Sequence, residues 1–93
     1  MYEDAIRWAM AQQTQTAGAK ALLMVLAANA DAEGRVRIPQ RELATMASVS
    51  TKTISTSLGW MVRNGLIEYD RGNGGELPVT YLRVGVAGSS TVR

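Results

Sequence analysis

The stretch ELATMASVSTKTISTSLGWMVRNGLI, residues 42–67, decides the fold. Apolar residues recur in it at helical spacing. Yet its middle, SVSTKTISTS, ends in eight residues holding three serines, three threonines and one lysine. Ser and Thr are poor inside helices because their hydroxyls compete for nearby backbone groups. At a helix start the same chemistry helps, since a hydroxyl oxygen accepts from an amide that lacks an intrahelical partner. Ser50 is therefore read as an N-cap. One helix precedes it over about 40–47, with Leu43, Ala44 and Met46 or Ala47 toward the core. "SVS" is a short connection. A second helix runs over about 51–64 and stops at Asn64-Gly65, two residues that tolerate a left-handed backbone.

Working outward, Pro39 suits the first turn of the earlier helix. Before it, "RVRI" at 35–38 alternates and predicts a short strand with Val36 and Ile38 inward. Gly34 supplies the turn that ends a helix over about 17–30, capped by Thr16 and broadly apolar at Leu22, Leu23, Leu26 and Ala30. A first helix is expected over about 2–13, with Tyr2, Ala5, Ile6, Ala9, Met10 and Gln13 on one stripe. Glu3 and Asp4 suit its positive N-terminal end. Trp8 lies off the stripe; it packs at the core edge or faces a partner subunit. Downstream, "LIEYD" and "VTYLRV" alternate around "RGNGGELP", which predicts a β-hairpin with a long glycine-rich tip. "GVAGSSTVR" has little to bury and reads as a flexible tail.

The expected fold class is α+β, mainly α, in the order helix, helix, strand, helix, helix, strand, strand. Residues 1–86 form one domain, with an N-terminal helix within 1–14 and a tail at 87–93.

Composition removes several functions. The 93 residues contain no cysteine and no histidine. Thiolate chemistry, the commonest general base and the commonest metal ligand are therefore missing. Glu42, Glu68, Asp70 and Glu76 show no paired spacing suited to acid–base work, so no enzyme, no cofactor, no metal and no small-molecule ligand is expected. The net charge is +2, but it is unevenly spread. Residues 1–34 set Arg7 and Lys20 against Glu3, Asp4, Asp31 and Glu33. Residues 35–93 set Arg35, Arg37, Arg41, Lys52, Arg63, Arg71, Arg83 and Arg93 against Glu42, Glu68, Asp70 and Glu76. A basic C-terminal part suits a polyanion. The apolar run at 21–28 is too short to span a bilayer, and the acidic start lacks the basic region of a secretory signal. The expected location is cytoplasmic.

Two helices joined by a short turn, the second capped, make a helix-turn-helix, and the hairpin after them makes a wing. "IPQRELATMASVSTKTISTSLGWMVRNGLIEY" resembles the winged helix-turn-helix domains of bacterial, phage and plasmid regulators and replication proteins. The likeness rests on Leu43-Ala44, Val49-Ser50, Thr53-Ile54, Leu58 and Gly65-Leu66-Ile67. The lead-in from Gly18 to Gln40 is similar to the phage and plasmid group. The sequence departs from the pattern at Gln40, where many relatives carry Ser or Thr, and at Gly59, inside the second helix.

The resemblance implies a recognition helix whose N-terminal part meets base edges in the major groove. With Ile54, Leu58, Met61 and Val62 set inward, the outward face centres on Lys52, Thr56, Gly59 and Arg63. Short hydroxyls there let the backbone come close, and a Thr methyl can touch a thymine methyl. Base-contact candidates are Ser50, Thr51, Lys52, Thr53, Ser55 and Thr56, with Thr53 also a partner of Ser50 in the cap. Backbone or wing candidates are Gln40, Arg41, Gly59, Arg63, Arg71 and Asn73. Gly59 alternatively marks a close helix crossing or a tolerated surface defect, and Arg63 is alternatively solvated. Trp60 is expected under the wing or in the core. Arg35 and Arg37 are expected as solvated strand residues. The implied function is a small sequence-specific regulator on double-stranded DNA, a repressor acting as a homodimer through the N-terminal helix or the C-terminal segment. The alternatives are a module of plasmid or phage replication or partition, and a winged-helix protein-interaction module.

Overall fold

The computed structural model describes residues 3–84. The elements are α1 (Glu3–Ala11), α2 (Ala17–Ala28), β1 (Arg35–Val36), α3 (Gln40–Ala47), α4 (Thr51–Arg63), β2 (Ile67–Asp70) and β3 (Val79–Leu82). Their order is the one expected, and so is the fold class: a mainly helical α+β winged helix-turn-helix. The expected tail at 87–93 lies outside the described residues.

Helix α2 is the central post. Thr16 caps it, its hydroxyl accepting from the Ala19 amide at 3.1 Å. Leu22, Leu23, Leu26 and Ala27 are fully buried. Leu43 of α3, Ile54 and Met61 of α4, Val36 of β1 and Ile67 of β2 close around them. Each such aliphatic side chain contributes about 1.5–3 kcal/mol through removal from water.

Helix α1 differs from its expected stripe. Ala5, Trp8 and Ala9 are its buried residues, while Met10 is 64% exposed and Gln13 is also exposed. Small Ala5 and Ala9 let α1 lie close to α2, and Trp8 fills the space beside them. Trp8 thus packs within the chain, and among the described residues its indole N–H finds no partner. The C-terminal end of α1 is held from α2. The Lys20 ammonium donates to the carbonyls of Ala9 (2.9 Å), Met10 (2.8 Å) and Gln12 (2.6 Å), which uses all three of its donors.

Four further local expectations shift. Helix α2 ends at Ala28 with Asn29 as its C-cap, two residues short of the expected end near Ala30. Strand β1 pairs only at Arg35 and Val36, leaving Ile38 half-buried beyond it. Pro39 is the N-cap of α3 rather than its first turn, with an extended backbone and no side-chain cap. Asn64 is not left-handed; Gly65 alone takes that conformation, with φ 75°. Leu66 N–H then donates to Met61 O (2.9 Å) and Gly65 N–H to Val62 O (3.1 Å), a Schellman stop that turns the chain into β2.

The three strands form one antiparallel sheet in the order β1-β3-β2. Val36, Thr80 and Tyr69 align across one face, and Arg35, Tyr81 and Glu68 across the other. Loop 71–78 forms the wing tip. Among the described residues, no helix is long and apolar enough to cross a membrane.

Candidate nucleic-acid interface

Helix α4 starts on a double hydroxyl contact. The Thr53 amide donates to Ser50 Oγ at 3.1 Å, and the Ser50 hydroxyl donates to Thr53 Oγ1 at 3.1 Å. Ser50 and Thr53 therefore order the helix start, as the cap reading anticipated. The exposed residues along α4 are Thr51, Lys52, Ser55, Thr56, Val62 and Arg63. Its buried residues are Ile54, Ser57, Leu58 and Met61. Val62, expected inward, is 45% exposed, and Ser57, part of the polar island, is buried at 6%. The face is rotated slightly from the sequence expectation because α4 leans on α2 and α3 along the Ile54–Ser57–Met61 line. The hydroxyl-rich segment still presents Thr51, Lys52, Ser55 and Thr56 together to solvent.

Gly59 sits lower on the same face. A Cβ there would meet only the Arg63 Nη1, at 3.3 Å. No second helix crosses at Gly59, so the close-crossing alternative does not hold. Arg63 folds back over the space that the missing side chain leaves. Trp60 is half-buried against the core, as expected.

Helix α3 enters beside this face. Arg41 is exposed in its first turn, next to exposed Glu42. Gln40 turns its side chain inward across the domain. Its Nε2 donates to the Tyr69 hydroxyl at 3.0 Å, and its Oε1 accepts from Ser55 Oγ at 3.3 Å. Tyr69 was not among the site residues read from the sequence. Its only signal was its place in the alternation of "LIEYD".

Beyond Gln40 lies a cleft of about 400 Å³ between α4 and β2. Gln40, Ser55, Gly59, Arg63, Tyr69 and Arg71 line it, and no carboxylate does. The wing tip is less basic. Arg71 and Asn73 are exposed there, but so are Asp70 and Glu76. The two carboxylates are tied into the loop: Asp70 Oδ1 accepts from the Gly72 amide (2.9 Å) and Glu76 Oε1 from the Asn73 amide (3.3 Å).

The described basic residues from Arg35 onward sort into two groups, with Arg7 and Lys20 lying earlier on α1 and α2. Arg35 pairs with Asp31 (3.0 Å) and Glu33 (2.6 Å), and Arg83 pairs with Glu68. The Asp31 carboxyl is held below its ordinary range, first by the Arg35 backbone amide and then by the Glu33 amide and the Arg35 guanidinium, against the opposing effect of desolvation. Arg37, Arg41, Lys52, Arg63 and Arg71 make no ion pair among the described residues. Four of these, all but Arg37, belong to α3, α4 and the start of the wing loop, around the hydroxyl face. No group of three metal-ligating side chains gathers among the described residues.

A family model described as the Crp-like helix-turn-helix domain matches residues 19–80. The span runs from the first turn of α2 into β3 and leaves α1 outside. No curated protein and no solved structure matches the chain.

Proposed function

Because the chain belongs to the Crp-like helix-turn-helix domain family, we propose that it is a sequence-specific reader of double-stranded DNA and acts as a small transcriptional repressor. DNA as the partner class follows from the family; sequence reading, repression and dimerisation are the proposal. The observation that carries it is the exposed face of α4, where Thr51, Lys52, Ser55 and Thr56 stand together above a cleft flanked by Arg63 and Arg71. In this reading α4 lies in the major groove with its first two turns on base edges. Arg41, Arg63 and Arg71 take phosphates and set the register. Asn73 reaches the backbone or minor groove from the wing tip. Gly59 lets the helix backbone approach the sugar–phosphate wall. Repression arises from occupying a promoter, and two copies bind half-sites about one helical turn apart, since one small module offers a limited contact area. The role is binding, without catalysis.

Selection from a random duplex library at near-physiological salt tests this reading. An enriched palindrome supports a dimeric reader. Enriched direct repeats move the role to replication or partition. Retention of no duplex removes the DNA-reading proposal. Sedimentation with and without the selected duplex tests the dimer; a monomer in both removes that part.

A further inference from the structure

Gln40 is the one side chain, among the described residues, that bonds to both the recognition helix and the wing. Its two contacts lie 15 and 29 residues away in sequence. Their direction has a chemical result. The Ser55 hydroxyl gives its only proton to Gln40 Oε1, so what remains on the exposed oxygen is two lone pairs. Ser55 is thereby fixed as an acceptor toward the groove. The other end of the Gln40 amide donates to the Tyr69 hydroxyl, on a strand braced against α4.

In the major groove the donors are the amino groups of adenine N6 and cytosine N4. Guanine and thymine present carbonyl oxygens at the corresponding places. An acceptor-only hydroxyl meets the first pair favourably and faces lone pairs on the second. We infer that Gln40 is a positioning residue that fixes Ser55 as an acceptor, and that Ser55 then selects an amino-bearing base over a keto-bearing base at one position of the site. This rests on the DNA-reading function proposed above. The carboxylate-free cleft beside Ser55, between Arg63 and Arg71, leaves room for the strand that carries the base.

The test is duplex selection with four proteins: the wild type, Ser55→Ala, Gln40→Met and Gln40→Glu. The wild type is expected to favour adenine or cytosine over guanine or thymine on one strand at one position by about five- to tenfold, the scale of one net hydrogen bond. Ser55→Ala and Gln40→Met flatten that position and keep the rest of the motif. Gln40→Glu keeps the preference, because a carboxylate accepts from both the Ser55 and Tyr69 hydroxyls. Its added negative charge weakens all sequences alike, a split that a merely structural role does not produce. Ser55→Ala changes an exposed helical residue to the best helix former, so the test survives if Gln40→Met folds poorly. Each base pair carries an amino group on one strand and a keto oxygen on the other, so the position is probed by removing that amino group (purine for adenine) from the selected duplex. Wild-type binding that is undiminished overturns the inference. So does a motif that Ser55→Ala or Gln40→Met leaves unchanged, or one that Gln40→Met flattens at every position. An enriched motif indifferent to Ser55→Ala leaves the DNA-reading function standing while this inference falls; no enriched motif for the wild type removes both.

Discussion

Ser48 is the only non-glycine residue with positive φ among those described, at 59°. It ends α3 in the left-handed conformation, where a Cβ costs roughly 1–2 kcal/mol and glycine costs nothing sterically. Ser48→Gly is therefore expected to raise stability by about 0.5–1 kcal/mol, after the entropy glycine adds to the unfolded chain is subtracted. A higher urea midpoint at unchanged slope checks it. Gly59 is the opposite case. Its surroundings are open apart from the end of a flexible arginine. Gly59→Ala should stabilise α4 by about 1 kcal/mol yet weaken DNA binding if the backbone approaches a phosphate wall; stronger binding by the variant would remove Gly59 from the interface. At this scale the sequence was only partly legible. "SVS" announced a turn but not which residue would be left-handed. Gln40 stood out as a departure from the family pattern, yet nothing local revealed that it reaches across to Tyr69. Contacts between residues 29 positions apart leave no periodic trace.

Among the elements, α1 and α4 show what patterning can and cannot decide. The ends of α4 were legible because both are local chemistry: Ser50 hydroxyl on the Thr53 amide, and Gly65 in a Schellman stop. Its rotation was not, because Ser57 and Val62 are close enough in angle to the face boundary that packing against α2 and α3 chose between them. In α1 the stripe Ala5–Ile6–Ala9–Met10 was a reasonable reading by period, but α2 accepts the smaller pair together with Trp8. Leu58 is buried at 3%, so Leu58→Ala should cost roughly 2–5 kcal/mol in global stability without altering base preference, measured by denaturant melts beside duplex selection. Lys20 gives α1 a separate dependence. Lys20→Met removes charge-assisted bonds to three carbonyls at the C-terminal end of α1, where a cation is favoured. Hydrogen exchange in α1 should then rise well before exchange in α2; equal protection in the variant and wild type would show that packing alone holds the helix.

For the whole molecule, electrostatics divides by function. If the DNA face is assigned correctly, Arg41→Ala, Arg63→Ala and Arg71→Ala each lower the salt slope of binding by about one. Arg35→Ala and Arg83→Ala leave it unchanged, since their guanidiniums are spent on Asp31, Glu33 and Glu68. Equal slopes across all five variants would erase the division. Net charge alone suggested a polyanion partner and could not make this separation, which depends on which carboxylates the fold brings near which arginines. Asp31 adds a pH dependence. Its carboxyl is held below the ordinary value of 3.8 by the Arg35 and Glu33 amides and the Arg35 guanidinium. A lowered folded-state pKa stabilises the fold above the unfolded value, and that stabilisation is lost as pH falls through the folded one. Asp31→Asn should therefore flatten the acid limb of a stability-against-pH curve below pH 3.8, as denaturant melts across that range check.

The two tryptophans, one sealed against α2 with an unbonded indole N–H and one half-buried on α4, turn the domain into its own optical instrument. Trp8 sits in apolar surroundings with no hydrogen bond to stabilise its excited state, so its emission lies to the blue. It shifts red when α1 lifts away and water reaches the ring. Trp60 rides on the helix assigned to the groove, so its emission changes when a duplex arrives. A Trp60→Phe protein reports only α1 docking, and a Trp8→Phe protein reports mainly ligand arrival. Together they separate the opening of one helix from the engagement of another, in the same cuvette and without a dye.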